Sequence, residues 1–237
     1  MDSIGICIPT YNEADNLPVL IDRIRRALPQ ALIWIVDDNS PDGTGHLALR
    51  MASDDKGLHV ISRAGKSGLG NAYREGFRQI LTDTGIFLIV QMDADLSHPV
   101  DCLPRMIAKA QAADLVIGSR YVPGGRIENW PLARRILSRF GSLYARGWLG
   151  LPVNDLTGGF KVWHREMLAR VLENPVTSSG YVFQIEMTYR AHGLGARIAE
   201  VPITFTERNH GQSKMSLAIA MEACWRVPGL RLGKRHH

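Results

Sequence analysis

Five short apolar runs, Ile4–Ile8, Leu32–Val36, Leu58–Ile61, Ile86–Met92 and Leu115–Ile117, recur through the first half of the chain. Each is unbroken, as a strand buried on both faces must be. Amphipathic segments fill the intervals. Leu17, Ile21, Ile24 and Leu28 fall at helical spacing, Leu47, Leu49 and Met51 do so more loosely, and Ala72, Phe77, Ile80 and Leu81 continue the pattern. Leu103, Met106, Ile107 and Ala110 close the series. Strand–helix alternation of this kind predicts an α/β fold with a doubly wound, mostly parallel sheet. Such sheets bind ligands beyond the carboxyl ends of their strands, where strand order reverses. From about Arg120 the alternation fades. Glycines, arginines and loops run to Lys161, followed by a helical pattern at Glu166–Leu172, a segment Gly180–Ala191, a strand Ile198–Thr206 and an amphipathic tail. No linker or internal repeat divides the 237 residues, so a single domain is expected.

Polar loops follow three of the strands. Pro9-Thr10-Tyr11-Asn12-Glu13 follows the first, Asp37 to Thr44 the second, and Asp93-Ala94-Asp95-Leu96-Ser97-His98-Pro99 the fourth. Their places predict convergence on one crevice. Two aspartates two residues apart at a strand end can serve as turn formers that cap a helix starting near Pro99. They also suit a hard divalent cation, Mg²⁺ or Mn²⁺, held by one or two carboxylates while a diphosphate supplies more oxygens. The two acidic neighbour loops and a distant basic set favour the cation. Thr10-x-x-Glu13 fits a helix capping box, and Asp37 and Asp38 are placed to begin the next helix. Gly65, Gly68 and Gly70 do not match the dinucleotide pattern G-x-G-x-x-G; a turn near a nucleotide is assigned to them.

Net charge is +5, and its distribution carries more meaning. Between Ser119 and Gly147 lie Arg120, Arg126, Arg134, Arg135, Arg139 and Arg146 against Glu128 alone, and Arg226, Arg231, Lys234 and Arg235 close the chain. A phosphate or an anionic membrane surface is the expected partner. Nucleic acid is not, because the arginines are not interleaved with stacking aromatics and no binding-module signature occurs. Cys7, Cys102 and Cys224 show no metal-ligand spacing and read as reduced thiols of a cytosolic protein. No basic leader is visible at the start, and the run Leu217 to Trp225 is interrupted by Glu222 and closed by Arg226 and Pro228, so no membrane-spanning helix is expected.

Nine stretches in order, IPTYNEADNLP, VDDNSPDGTG, GLGNAYREGF, MDADLSHP, GSRYVPGG, NWPLARRILSR, DLTGGFK, GYVFQIEM and VPITFTERNHGQSKM, cover Ile8 to Met215. Together they resemble the family 2 glycosyltransferases of GT-A type, and within them the polyprenol (dolichol) phosphate mannosyltransferases. The resemblance implies a GT-A fold: a nucleotide-sugar and metal half (residues 1–119), an acceptor half with a closing loop (120–215) and a basic amphipathic tail (216–237). It places the nucleotide sugar on Pro9, Tyr11, Glu13, Val36 and Asp38, completed by Asp93 and Ala94. It gives the metal to Asp93, Asp95 and Ser97, where some relatives carry Gln in place of Ser97; a hydroxyl is the shorter and weaker ligand and acts through water. Arg120, Arg134 and Ser138 match the acceptor-phosphate grip, an arginine fork suiting phosphate. Arg208 and Lys214 match a loop closing over the donor diphosphate. Asp95, Arg120, Arg208 and Lys214 are thus the implied catalytic set, and Asp155 is structural or positions the acceptor.

The chemistry agrees with a lipid phosphate acceptor. A sugar hydroxyl needs a general base, whereas a phosphate monoester, with a second pKa of about 6, is already largely a dianion at neutral pH. The predicted reaction is a single inverting displacement from GDP-mannose to a polyprenyl phosphate, at the cytoplasmic face of a membrane. Some relatives carry transmembrane helices and others borrow them from partner subunits; here the tail is expected either to lie in the membrane interface, giving peripheral attachment, or to pack on its own domain. UDP-glucose as donor is the alternative within the fold; a non-catalytic nucleotide-sugar-binding protein is the alternative outside the enzyme class.

Overall fold

A computed structural model describes residues 3–176, 178, 180–206 and 225–231. In chain order these form β1 (Ser3–Thr10), α1 (Leu17–Ala27), β2 (Leu32–Asp37), α2 (Thr44–Asp54), β3 (Leu58–Ser62), α3 (Leu69–Thr82) and β4 (Ile86–Gln91). A 3₁₀ turn (Val100–Cys102) leads into α4 (Leu103–Ala110) and β5 (Leu115–Ser119). Beyond them come β6 (Arg126–Glu128), α5 (Leu132–Leu149), β7 (Lys161–His164), α6 (Arg165–Leu172), α7 (Gly180–Gly193), β8 (Ile198–Pro202) and β9 (Thr204–Thr206). Residues 225–231 are helical.

Seven strands make one sheet in the order β3-β2-β1-β4-β7-β5-β8. β1 pairs in parallel with both β2 and β4, so strand order reverses between β1 and β4. The apolar runs are continuous because each strand feeds two cores. Ile6 and Ile8 of β1 point to the face covered by α1 and α4, with Leu17, Leu20 and Met106. Cys7, between them, points to the face covered by α3, α6 and α7, with Phe77, Leu168 and Phe183. Helix α3 lies so close to the sheet that a Cβ on Gly76 would collide with Cys7 Sγ and stand 2.9 Å from Val36 Cγ2.

The mostly parallel α/β expectation holds, and several local expectations are corrected. The loop-dominated region after Arg120 contains an 18-residue helix, α5. Its buried residues are Ser138, Ser142, Ala145 and Leu149, so no apolar inner stripe announces it. β7 is antiparallel to both β4 and β5. The strand Ile198–Thr206 breaks at Ile203: β8 pairs with β5 in the main sheet and β9 pairs with β6 in a second, two-stranded sheet. In α2 the inward residue is Ala48, while Leu49 is 51% exposed. The Thr10–Glu13 capping box does not form. Thr10 Oγ1 instead donates to Asp37 Oδ1 at 2.9 Å, and α1 starts after Asn16, whose Nδ2 donates to Glu13 Oε2 at 2.8 Å.

Candidate active site

The loops after β1, β2 and β4 open on a cleft of about 490 Å³ outside the switch point. Pro9, Tyr11, Glu13, Asp38, Lys66 and Gly68 line the side toward β2. Thr157, Gly159, Tyr181, Val182 and Gln184 line the side toward β7 and α7, with Asp93, Ala94 and Asp95 between. The loops hold their shape through Asp37, which is 3% exposed and accepts from Thr10 Oγ1, from the Ser40 N–H at 2.9 Å and from Ser40 Oγ at 2.6 Å. Asp38, next along, is paired with Arg63, which also reaches Glu75 at 2.8 Å. Lys66 Nζ stands 3.9 Å from the centre of the Tyr11 ring, a cation in the cleft that no sequence pattern had marked.

The carboxylate pair has a built support. Tyr73, a fully buried residue of α3, donates its hydroxyl to Asp93 Oδ1 at 2.7 Å. Burial first, and then the Asp93 charge, push the Tyr73 phenol well above its ordinary range, so it stays a donor. The Asp93 N–H donates to His98 Nδ1 at 3.0 Å, which makes Nδ1 the acceptor and puts the proton of a neutral ring on Nε2, 4.0 Å from Asp93 Oδ2. The His98 ring is stacked on Phe160 with centroids 5.0 Å apart and meets Phe205 edge-on. Asp95 Oδ1 accepts from the Ser97 N–H at 3.1 Å. Leu96 sits at φ 61, a left-handed conformation costly for a branched side chain, and reverses the chain between them.

This donor set fits Mg²⁺ or Mn²⁺. Two hard carboxylates stand in an open cleft, and an octahedral ion takes its remaining oxygens from water and a diphosphate. Among the described residues no group of three or more His, Cys, Asp or Glu forms a closed cage, so Asp93 and Asp95 are the residues available to such an ion. Ser97 is 4% exposed and borders Asp95 on a second cleft, which Asp95, Ser97, Asp101 and Thr204 line together. Val36 is fully buried with its side chain against α3 and is not on the cleft lining.

Arg120, Arg134 and Ser138 are gathered into one cluster, set behind Thr157 rather than on the cleft wall. Arg120 is 7% exposed. Its Nε and Nη2 each donate to Asp155 at 2.7 Å, and Nη2 also donates to Thr157 Oγ1 at 2.9 Å. Burial alone would raise the Asp155 carboxyl, but the facing guanidinium holds it below the usual carboxylate range. Burial likewise opposes the Arg120 charge, and Asp155 more than restores it. Tyr121, Trp130 and Phe205 wall the guanidinium at 5.2 to 5.4 Å. Arg134 stacks on Trp130 at 3.9 Å, and Ser138 Oγ accepts from the Tyr121 hydroxyl at 2.7 Å. Arg208 and Lys214 lie outside the described residues.

Sequence reasoning missed Tyr73, His98, Lys66 and Gln184. All four sit inside or beside the family-like stretches, but the first three resemble core aromatics or surface charge, and Gln184 lies on a helix buried along Val182 to Thr188.

A family model, Glycosyl transferase family 2, matches residues 5–172. Relatives include an undecaprenyl-phosphate mannosyltransferase of Micrococcus luteus, 47% identical over 228 residues that cover 96% of this chain and 93% of that protein. A polyprenol monophosphomannose synthase of Mycolicibacterium smegmatis is 47% identical over 224 residues, 94% of this chain and 84% of that one. Among solved structures, glucosyl-3-phosphoglycerate synthase from Mycobacterium tuberculosis in complex with Mn²⁺, UDP and glucosyl-3-phosphoglycerate matches with a TM-score of 0.65 at 21% identity, over 98% of this chain and 80% of that chain. The strand order, the cleft at its switch point and these matches agree: the chain belongs to glycosyl transferase family 2 and is a glycosyltransferase of GT-A fold.

Proposed function

We propose that the protein transfers mannose from GDP-mannose to a polyprenyl phosphate, with inversion, using Mg²⁺ or Mn²⁺ held by Asp93 and Asp95. The observation that carries this reading is the carboxylate pair at the switch point, fixed by Tyr73 and His98, in a chain 47% identical to two polyprenyl-phosphate mannosyltransferases. Bound there, the ion would supply charge stabilisation for the departing diphosphate. The chain's own residues do the rest. Pro9, Tyr11, Glu13 and Asp38 seat the nucleoside, Ala94 lies against the donor, and Lys66 adds a cation on the same side. Arg208 and Lys214 neutralise the diphosphate as charge develops. Arg120 offers its remaining nitrogen, Nη1, to the acceptor phosphate beside Thr157, with Arg134 and Ser138 completing that end. Residues 1–119 thus form the donor half, 120–215 the acceptor half and 216–237 a tail.

A lipid acceptor requires a membrane-facing surface, and α5 has one. Leu132, Ile136, Phe140, Leu143 and Trp148 are 47% to 70% exposed and recur along one stripe. Arg134, Arg135, Arg139 and Arg146 flank it, with no acid on the helix. Arg231 Nη1 donates to Trp148 O at 2.7 Å, bringing the helical residues 225–231 beside this face; Val227 is buried in the core while Trp225 is 84% exposed. An apolar stripe rimmed by arginines matches the boundary of an anionic bilayer. Among the described residues no helix is long and apolar enough to cross it.

The test is an extraction assay with purified protein, short polyprenyl phosphate, Mn²⁺ or Mg²⁺, and radiolabelled GDP-mannose or UDP-glucose. Lipid-extractable mannose that depends on metal and vanishes in a folded Asp95→Ala variant is the expected result. Counts only from UDP-glucose would replace the donor, and counts without added or bound metal would remove the role given to the carboxylates.

A further inference from the structure

Among the described residues Gln184 is the one amide on the cleft wall, and the atoms behind it dictate which way it faces. The Trp163 indole N–H can only donate. It meets Gln91 at 3.1 Å, so the Gln91 atom there is Oε1. The other end of that amide is then the NH₂ group, which donates to Gln184 at 2.7 Å, so the Gln184 atom facing it is Oε1. Gln184 is left presenting Nε2 to the cleft. Among the described residues no acceptor takes it. Gln91 and Trp163 are fully buried and Gln184 is 3% exposed, so none of the three is free to turn.

The backbone under Gln184 is pinned as well. Lys161 Nζ donates to Gln184 O at 2.9 Å and to Thr188 Oγ1 at 3.0 Å, tying α7 to β7 at this residue. In front of the amide the floor is glycine. A Cβ on Gly159 would stand 3.3 Å from Gln184 Nε2 and 3.5 Å from Asp93 Oδ2. An N–H donor and a carboxylate oxygen therefore converge on a hollow that a side chain would fill. A sugar hydroxyl, which accepts and donates at once, matches that pair of groups.

We propose that Gln184 is a sugar-selecting residue, its Nε2 donating to a ring hydroxyl of the transferred sugar, with its direction set by the Trp163–Gln91 relay. The proposal rests on the reading of this cleft as a sugar-nucleotide site. A site built to hydrogen-bond a hydroxyl rejects the analogue lacking it, because its buried polar groups are left unpaired.

The experiment compares kcat/KM for GDP-mannose and its 2-, 3-, 4- and 6-deoxy analogues in wild type, Gln184→Met and Gln184→Glu, with GDP affinity measured by calorimetry in Mn²⁺. Wild type is expected to lose about tenfold or more on one analogue. Gln184→Met should lose that preference, turning over the analogue and GDP-mannose within about threefold of each other while binding GDP as wild type does. Gln184→Glu, which can accept from the same hydroxyl, should keep a preference for the same position. Discrimination that survives in folded Gln184→Met overturns the assignment, as does a preference in Gln184→Glu for a different position or a wild type that accepts every analogue within about threefold. If instead GDP binds wild type and Asp38→Ala equally, or not at all, the reading of the cleft falls and not the assignment of Gln184 alone.

Discussion

Tyr73 and His98 act on Asp93 from opposite sides, one through the carboxylate and one through the backbone N–H. A carboxylate in an open cleft would otherwise turn toward water, so the phenol bond is what keeps Oδ2 aimed inward. Tyr73→Phe removes one oxygen and leaves the ring in its stack with Phe77 and Phe183. We expect the fold to persist and the Mn²⁺ concentration for half-maximal activity to rise about tenfold, the usual cost of losing a ligand's outer partner. A Mn²⁺ titration of turnover beside a thermal melt checks this; unchanged Mn²⁺ dependence would deny Tyr73 that part. At this scale the sequence displayed the acids and hid their supports. Asp93 and Asp95 stand out because charges seldom follow a buried strand. Tyr73 and Gln184 fall where a helix meets the core, and the pattern there announces only burial.

Lys161 joins two elements, β7 and α7, through a fully buried amine. Burial pushes that amine down to about 7 from 10.5, with Asp155 pulling weakly the other way. Between those values the unfolded chain binds the proton and the folded chain does not, so folding stability rises with pH from about 7 to 10. Lys161→Met should flatten that rise, read as urea midpoints across the same range; an unchanged slope would mean the amine stays charged inside. The element pattern explains what else could be foreseen. β1, β2, β3, β4 and β5 were legible because strands buried on both faces write continuous apolar runs. β7 was not, since a lysine opens it and the antiparallel direction leaves no mark in KVWH. Helix α5 was hidden for a different reason: its apolar residues face outward among arginines, and small or hydroxyl residues turn inward. Leu49 misled in the same way, an exposed leucine beside the true inward contact, Ala48.

For the molecule as a whole, α5 carries both its exposed apolar face and two of the three residues proposed to hold the acceptor, since Arg134 and Ser138 point from it toward Trp130 and Tyr121. Under the proposed function, a lipid phosphate at a bilayer surface would arrive beside Arg120 without the protein leaving the interface. Replacing Ile136 and Phe140 together with Ser should reduce flotation with anionic vesicles about tenfold or more while GDP affinity stays level. Raising salt should weaken wild-type flotation, because the flanking arginines are screened. Flotation that ignores both changes would assign the membrane contact to another surface.

The antiparallel strand at the middle of the sheet has a consequence for how the chain is made. β4 and β5 are finished long before Lys161–His164 exists, yet neither touches the other; each borders β7 alone on that side. During synthesis both therefore wait with bare amide and carbonyl rows along apolar strands, the condition that invites foreign pairing. Assembly can spread from β1 to β2, β3 and β4, but β5 cannot join them until β7 is made. It must pause for a late keystone, and a chain ended before residue 161 would leave one border of β4 and both borders of β5 bare, with nothing yet to join them.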